Sequence, residues 1–231
     1  MEPGLGNKWN DIIKVLEDII PVYDRVNSFI SFGKDEDLRY KGISKVVREN
    51  NTILDAGSGF GNMSKTVKKI LGEKTRIIMY DPILQMLKGA ESHFDTSPDL
   101  SCGIFEYLPF QNEQFDVVMC GYSIRDAQSL KVAISEMHRV LKNNGCWVIV
   151  DLGKPDNQII RCGVAVYLRA ILPLVACIIG GKLGLKFGAL YETYKHWPQN
   201  KILKSLLLEK FSRVEYNTNV LGAAIMVAAY K

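Results

Sequence analysis

Nine residues constrain this chain more than any others. Ile53-Leu54-Asp55-Ala56-Gly57-Ser58-Gly59-Phe60-Gly61 joins a short apolar run to a glycine-rich bend, and a helical pattern follows from Asn62. Glycine lets the backbone bend this tightly and approach a bound molecule without a Cβ in the way. A glycine turn alone is a weak signal. This one also carries Asp55, a carboxylate that would repel a pyrophosphate and suits a cationic ligand. Thr75-Arg76-Ile77-Ile78-Met79-Tyr80 reads as the next strand, with Asp81 at its end. An acid about 20 residues beyond such a turn is the usual partner of ribose hydroxyls. A cation bearing a ribose describes S-adenosylmethionine, whose amino group and sulfonium are both positive, better than it describes a dinucleotide. The competing reading, a plain strand–helix turn whose Asp55 only caps the next helix, leaves Asp81 unexplained.

Around this unit strands alternate with helices: strand 52–56, helix 62–71, strand 75–80, helix 83–92, a short strand near 100–104, strand 115–121, helix 127–141 and strand 145–151. Asn143-Asn144-Gly145 makes the tight turn into the last of these. The alternation predicts an α/β fold, with a parallel sheet and helices on both faces. Ligands on such sheets bind at the carboxyl ends of the strands, where Asp55, Asp81 and the segment from Gly121 to Asp126 all fall. Upstream, residues 8–30 read as amphipathic helix broken at Pro21 and ended by Gly33, followed by a charged helix over about 35–49. Downstream, residues 158–190 are apolar and glycine-rich, with Arg161, Arg169, Lys182 and Lys186 interspersed. The run from Cys162 to Gly181 is long enough to raise a membrane span. Arg169 and Pro173 near its middle make spanning costly. The stretch is expected to form cap helices over the site mouth, either as ordinary core or as a greasy lid for a lipid-like substrate. Helix 200–210, strand 211–217 and a last strand at 222–230 return the chain to the sheet. The expected organisation is one domain over 1–231: N-terminal helices (1–50), a cofactor-binding core (51–151), a helical cap (152–199) and a final helix with a strand pair (200–231).

Composition narrows the class. The 231 residues are 47% apolar, enough for a sizeable core, and the net charge of +4 is mild. It permits attraction to an anionic membrane surface, and no lysine/arginine run suggests nucleic acid. Five cysteines, an odd number without a CxxC pair, point to reduced thiols in a cytoplasmic protein. The three histidines match no zinc spacing, so no metal is expected. Near the N-terminus Asn10-Asp11, Lys14 and Glu17-Asp18 interrupt any signal-peptide core.

With these residues in view, the chain resembles the ubiquinone/menaquinone-biosynthesis C-methyltransferases, within the class I S-adenosylmethionine-dependent methyltransferases. Leu54 to Gly61, Asp81, Leu108-Pro109-Phe110 with Phe115-Asp116, and Arg139-Val140-Leu141-Lys142 before Gly145 are similar to the broad class. Four stretches are similar to the narrower family. They are Tyr23-Asp24-Arg25-Val26-Asn27 followed by Ser31-Phe32-Gly33; Ile124-Arg125-Asp126, where the family has Leu-Arg-Asn; Leu152-Gly153-Lys154-Pro155, beside its Phe-Ser-Lys-Pro; and Leu190-Tyr191 through His196-Trp197-Pro198. The resemblance implies a Rossmann-like fold with a mostly parallel seven-stranded sheet flanked by helices, an N-terminal helical segment and an inserted helical cap.

Carried over by position, it also implies a site for S-adenosyl-L-methionine. Asp55, Gly57 and Gly59 would line the methionine end, Asp81 would hold the ribose, and Phe105 and Glu106 would flank the adenine. Ser58, Pro82 and Gly121 complete the set, and Tyr23 and Ser31 would close from the N-terminal segment. Ile104 stands where an Asp often accepts from the adenine amino group, a loss of about 0.5–1.5 kcal/mol. The implied acceptor is a ring carbon of a lipophilic quinol, ortho to a hydroxyl whose deprotonation sharpens the nucleophile. Catalytic candidates are Arg125, Asp126 and His196, with Tyr122 and Tyr194 beside them. Arg125 is a poor base, since its pKa exceeds about 12. It would stabilise a phenolate or orient a water, while Asp126 would take the proton or fix Arg125 through an ion pair. Two alternatives remain: a class I methyltransferase for another small or lipid-like acceptor, and a non-catalytic S-adenosylmethionine-binding subunit of a quinone-biosynthesis assembly. Peripheral membrane association and a homodimer are both compatible with the sequence.

Overall fold

The computed structural model describes residues 3–30, 34–95 and 97–231. Its centre is one sheet of seven strands: β1 (Ile53–Ala56), β2 (Ile77–Asp81), β3 (Asp99–Cys102), β4 (Phe115–Gly121), β5 (Leu141–Leu152), β6 (Arg213–Asn219) and β7 (Ala224–Tyr230). Their spatial order is β3-β2-β1-β4-β5-β7-β6. β1 to β5 run parallel, and β7 enters antiparallel between β5 and β6. The order reverses between β1 and β4, and a doubly wound sheet opens its ligand crevice at such a reversal.

Side chains alternate across the sheet because successive Cβ atoms point to opposite faces. Leu54, Val118, Cys120, Trp147 and Ile149 pack on one side with Ala133, Ile134 and Met137 of α6 (Leu130–Val140) and Leu203 and Leu207 of α10 (Asn200–Leu208). Ile53, Val117, Met119, Val148 and Val150 pack on the other with Leu38 of α3 (Lys34–Ile43), Met63 and Val67 of α4 (Asn62–Leu71) and Leu87 of α5 (Leu84–Glu91). Burial on both faces explains why these strands read as continuous apolar runs.

Some boundaries differ from expectation. The charged helix stops at Ile43, and the remaining residues form turns in which Asn50 takes φ 65°. β5 starts at Leu141, which pairs with Phe115, and the ladder resumes only at Val117 opposite Cys146. The Asn143-Asn144-Gly145 bend therefore bulges within the strand, with Asn144 at φ 63°.

The cap is a third layer. α7 (Gln158–Val166) passes through a wide π-type turn at Tyr167–Ile171 into α8 (Leu172–Gly180). Pro173 sits in the first turn of α8, where its missing N–H is tolerated, and the wide turn lies just upstream. The chain then reverses at Gly181 (φ 64°). A short 3-10 stretch packs back so closely that a Cβ on Gly184 would lie 2.0 Å from the Ala176 carbonyl oxygen. α9 (Ala189–His196) follows. Leu168, Leu172, Ala176, Phe187 and Tyr194 form a separate small core with Ile19 of α1 (Trp9–Ile19) and Val26 of α2 (Tyr23–Ile30). The N-terminal helices and the cap thus close on each other above the strand ends.

Candidate active site

The glycine turn is built as its sequence requires. Gly57, Gly59 and Gly61 take φ of 68°, 53° and 76°, a left-handed backbone that other residues adopt only with strain. Gly57 and Ser58 both donate their N–H to the Tyr80 carbonyl, at 2.7 and 3.1 Å. Asp81, at the end of β2, clamps the turn: its Oδ2 accepts from Gly59 N–H at 2.8 Å and its Oδ1 from Ile83 N–H at 2.9 Å. Burial raises its pKa to about 6, against the pull of those two N–H groups. A Cβ on Gly57 would lie 2.5 Å from the Ser123 side chain and 2.6 Å from the Phe105 ring.

Asp55 sits beneath this turn, fully buried. Its Oδ2 accepts from the Ser64 backbone N–H at 3.1 Å and hydroxyl at 2.6 Å, while its Oδ1 has no hydrogen-bond partner among the described residues. Burial pushes its pKa up to about 7, only partly offset by Ser64. An orphaned carboxylate oxygen below a glycine turn suits a nearby cation, which would restore the charge that burial removes. The opposite wall is set by Tyr80, whose hydroxyl lies 2.9 Å from the carbonyls of both Ile104 and Tyr107. That anchor holds the loop carrying Phe105, and Gly103 is needed because a Cβ there would meet the Tyr80 hydroxyl at 2.2 Å.

These pieces surround one cavity of about 1180 Å³. Tyr23, Gly57, Ser58, Gly59, Asp81, Pro82, Phe105, Gly121, Arg125 and Asp126 all line it. So do Leu16 of α1 and Ile160, Val164, Leu168 and Leu172 of the cap. The polar crevice at the strand ends is therefore continuous with an apolar chamber under the cap. Tyr23 bridges the two, its ring 6.1 Å from Phe60 of the turn and 6.5 Å from Phe187 of the cap. Burial raises the Tyr23 phenol to about 12, so it is neutral near pH 7.

Four expected residues lie elsewhere. Asp55 is one layer behind the cavity wall rather than in it, because the turn folds over it. Glu106 does not line the cavity; its Oε1 accepts from Ser129 N–H at 2.9 Å, so it braces the start of α6. His196 ends α9 away from the cavity, and burial lowers its pKa. Ser31 lies outside the described residues. Tyr194 is buried in the cap core and does not reach the cavity either.

Arg125 and Asp126 sit in the short turn Ile124–Asp126 after β4, where polar crevice meets apolar chamber. Arg125 is 5% exposed. Its Nη1 pairs with Asp151, fully buried at the end of β5, and its Nε donates to Thr193 Oγ1 of α9 at 3.1 Å. Burial opposes its charge, but Asp151 and Asp126 outweigh burial and raise its pKa. Arg125 is thus a fixed cation whose partner is Asp151, not Asp126. Asp126 is left with Oδ1 buried and unpartnered among the described residues. Burial raises its pKa to about 7, against the opposing pull of Arg125. A carboxyl poised near neutrality beside a fixed cation can take a proton from an acidic hydroxyl and steady the resulting anion.

Asp151 and Thr193 escaped the sequence reading. Asp151 carried a faint signal, since a carboxylate ending the apolar run Cys146–Val150 must be paired to be buried. Arg39 lines the cavity too, stacked 5.3 Å over the Tyr122 ring and bonded at 2.6 Å to Asp35, and nothing in its charged helix singled it out.

Comparison with known proteins accords with this geometry. Demethylmenaquinone methyltransferase of Chlorobaculum tepidum is 27% identical over 228 residues, covering 96% of this chain and 93% of the relative. The enzyme of the same name from Oceanobacillus iheyensis is 28% identical over 235 residues, covering 98% and 97%. The ubiquinone/menaquinone biosynthesis C-methyltransferase UbiE of Hahella chejuensis is 25% identical, covering 87% and 82%. Among solved structures, a SAM-dependent methyltransferase from Thermotoga maritima superposes with a TM-score of 0.67 at 15% identity, over 95% of this chain and 99% of that one, which establishes the fold. The family model described as the ubiE/COQ5 methyltransferase family matches residues 6–231, essentially the whole of the described structure, and the chain belongs to that family.

Proposed function

We propose that this protein transfers the methyl group of S-adenosylmethionine to a ring carbon of a lipophilic quinol of the demethylmenaquinol kind. One observation carries the reading: a single cavity runs from the glycine turn and Asp81 into an apolar chamber under the cap, with Arg125 and Asp126 at the junction. The residues fit the donor. Gly57 lets the turn pack against Ser123 and Phe105 at the cavity wall, Asp55 keeps a carboxylate oxygen unpartnered among the described residues beneath the turn, and Asp81 lines the same cavity and would take the ribose hydroxyls. The donor supplies an electrophilic methyl on a sulfonium. The turn and Phe105 fix its position, and holding both partners in line contributes much of the rate.

The acceptor's ring enters the junction and its tail fills the chamber lined by Leu16, Val164, Leu168 and Leu172. Asp126 accepts the proton of a ring hydroxyl, and Arg125, held by Asp151 and Thr193, stabilises the phenolate. The ring carbon ortho to it forms the new C–C bond as the C–S bond breaks and the neutral thioether leaves; the ring proton then passes to water, which restores aromaticity, and Asp126 returns its proton to the ring oxygen. A quinol with such a tail resides in a membrane, and peripheral membrane association goes with the reading.

Titration with S-adenosylmethionine followed by turnover of demethylmenaquinol in detergent tests it. Micromolar-range binding with methylated product supports it. No binding overturns the donor, and binding with turnover only of water-soluble phenols overturns the quinol.

A further inference from the structure

Cap residues Gln158–His196 form a helical stretch long and apolar enough, by length and composition, to cross a membrane. It cannot be wrapped in lipid, because the chain reverses at Gly181 and one face of α7 and α8 is the wall of the cavity. The opposite face is also apolar. Ile159 is 83% exposed, Val166 59%, Leu174 63% and Ile178 86%. Val166 lies seven positions beyond Ile159, and steps of four run through Ala170 to Leu174 and Ile178, so these side chains share one stripe. A helix on the surface of a soluble protein is polar there, and a contiguous exposed apolar patch marks an interaction site.

Exposed apolar groups also line the cavity itself. Val220 and Leu221 line the cavity and are 60% and 78% exposed. Both hold left-handed backbone, at φ 49° and 55°, which is rare for a β-branched residue such as Val220. Gly163 of α7 also lines the cavity and is exposed. Exposed groups of α7 and of the Val220-Leu221 turn thus line one cavity.

Charge selects the occupant. From residue 157 to 191 the chain carries Arg161, Arg169, Lys182 and Lys186 and no Asp or Glu. Lys186 is tied to Asp18 at 2.5 Å, and Arg161 donates to the Pro155 and Asp156 carbonyls. Arg169 and Lys182 are exposed. Two copies meeting through this face would bring like charges together, whereas an anionic lipid surface complements it.

We propose that the outer stripe of the cap and the Val220-Leu221 turn seat on an anionic bilayer, lying in its interface, so that the acceptor enters the cavity directly from the hydrocarbon. Docking stands on the surface itself; the entry route rests on the quinol reading above. Such helices bind by buried apolar area plus attraction to anionic headgroups.

The test is vesicle flotation of the full chain without donor or acceptor. Phosphatidylglycerol/phosphatidylcholine vesicles are compared with phosphatidylcholine alone. With two exposed cations the anionic vesicles should bind roughly 30-fold more tightly. Leu174→Glu/Ile178→Glu should abolish flotation while keeping the wild-type melting temperature, since both sites are exposed. Arg169→Gln/Lys182→Gln should erase only the anionic preference. In turnover, the Leu174→Glu/Ile178→Glu variant should lose methylation of a vesicle-embedded long-tailed quinol and keep that of a short-tailed soluble one. Wild-type protein that fails to float, or a double-Glu variant that floats equally, overturns the proposal. So does a wild-type dimer that the double-Glu variant converts to monomer, which would make the stripe a self-interface. Intact flotation with no methylation of any quinol supports docking and overturns the quinol reading instead.

Discussion

The buried pair Arg125–Asp151 offers the most exposed prediction about how the site is held. Neither partner reaches bulk water: Arg125 is 5% exposed and Asp151 0%. Removing one leaves the other as an unpaired buried charge, which is destabilising by about 3–5 kcal/mol. A chain of this length shifts its melting temperature by roughly 2–4 °C per kcal/mol, so Arg125→Met or Asp151→Leu should each lower it by roughly 6–20 °C. Removing both is different in kind. Thr193 keeps its bond to the Leu190 carbonyl at 3.1 Å, so it is not orphaned. Leu152 N–H loses its acceptor on Asp151, a loss of about 1 kcal/mol. The double variant Arg125→Met/Asp151→Leu should therefore be more stable than either single one, because replacing a buried ion pair by apolar groups is often near neutral. Urea unfolding of all four proteins, read by linear extrapolation with matched slopes, completes the cycle. An additive double variant, or an Asp151→Leu variant melting within about 2 °C of wild type, less than about 1 kcal/mol, would refute the pairing. Turnover should still fall in the stable double variant, since the cation that steadies the phenolate is gone.

Asp126 acts only when ionised, so methyl transfer should decline below a pH of about 7. Asp126→Asn should remove that acidic limb and lower kcat/KM at pH 8 by about 100-fold, and an unchanged profile would dismiss it as the base. Gly57→Ala places a side chain at φ 68° against Ser123 and Phe105. It should lower the melting temperature by roughly 2–8 °C, from about 1–2 kcal/mol of strain, and weaken donor binding further; normal donor affinity would move the site elsewhere. Asp55 has a folded pKa of about 7, raised above its ordinary value of 3.8. Its stabilising proton is held in full below about pH 4 and lost as pH rises through 7, so Asp55→Asn should flatten the decline of ligand-free melting temperature across that window. A cation bound near Asp55 should release that proton, and donor titrations at pH 6.5 in two buffers of different ionisation enthalpy would reveal the release by unequal heats.

The succession of strands and helices, the glycine turn and Asp81 were legible in the sequence for local reasons. Apolar runs buried on both faces mark parallel strands, three glycines in five residues mark a backbone that needs positive φ, and a carboxylate at a strand end has few other tasks. The cap could be named from its composition, and Pro173 and Arg169 argued against a free span. Which face of that cap is wall and which is surface could not be read, because the stripe Ile159–Ile178 and the inner row Ile160–Leu172 are equally apolar. Likewise the sequence offered Asp126 as the partner of Arg125, its neighbour in the chain. The fold instead brings Asp151 to the guanidinium from the next strand, and so leaves Asp126 Oδ1 without a hydrogen-bond partner among the described residues. Glu106 and His196 were nominated by position along the chain, yet one braces α6 and the other ends α9. Local backbone needs and alternation of apolar residues are written along the chain. Pairing of buried charges depends on which strands lie side by side, and only the tertiary structure decides that.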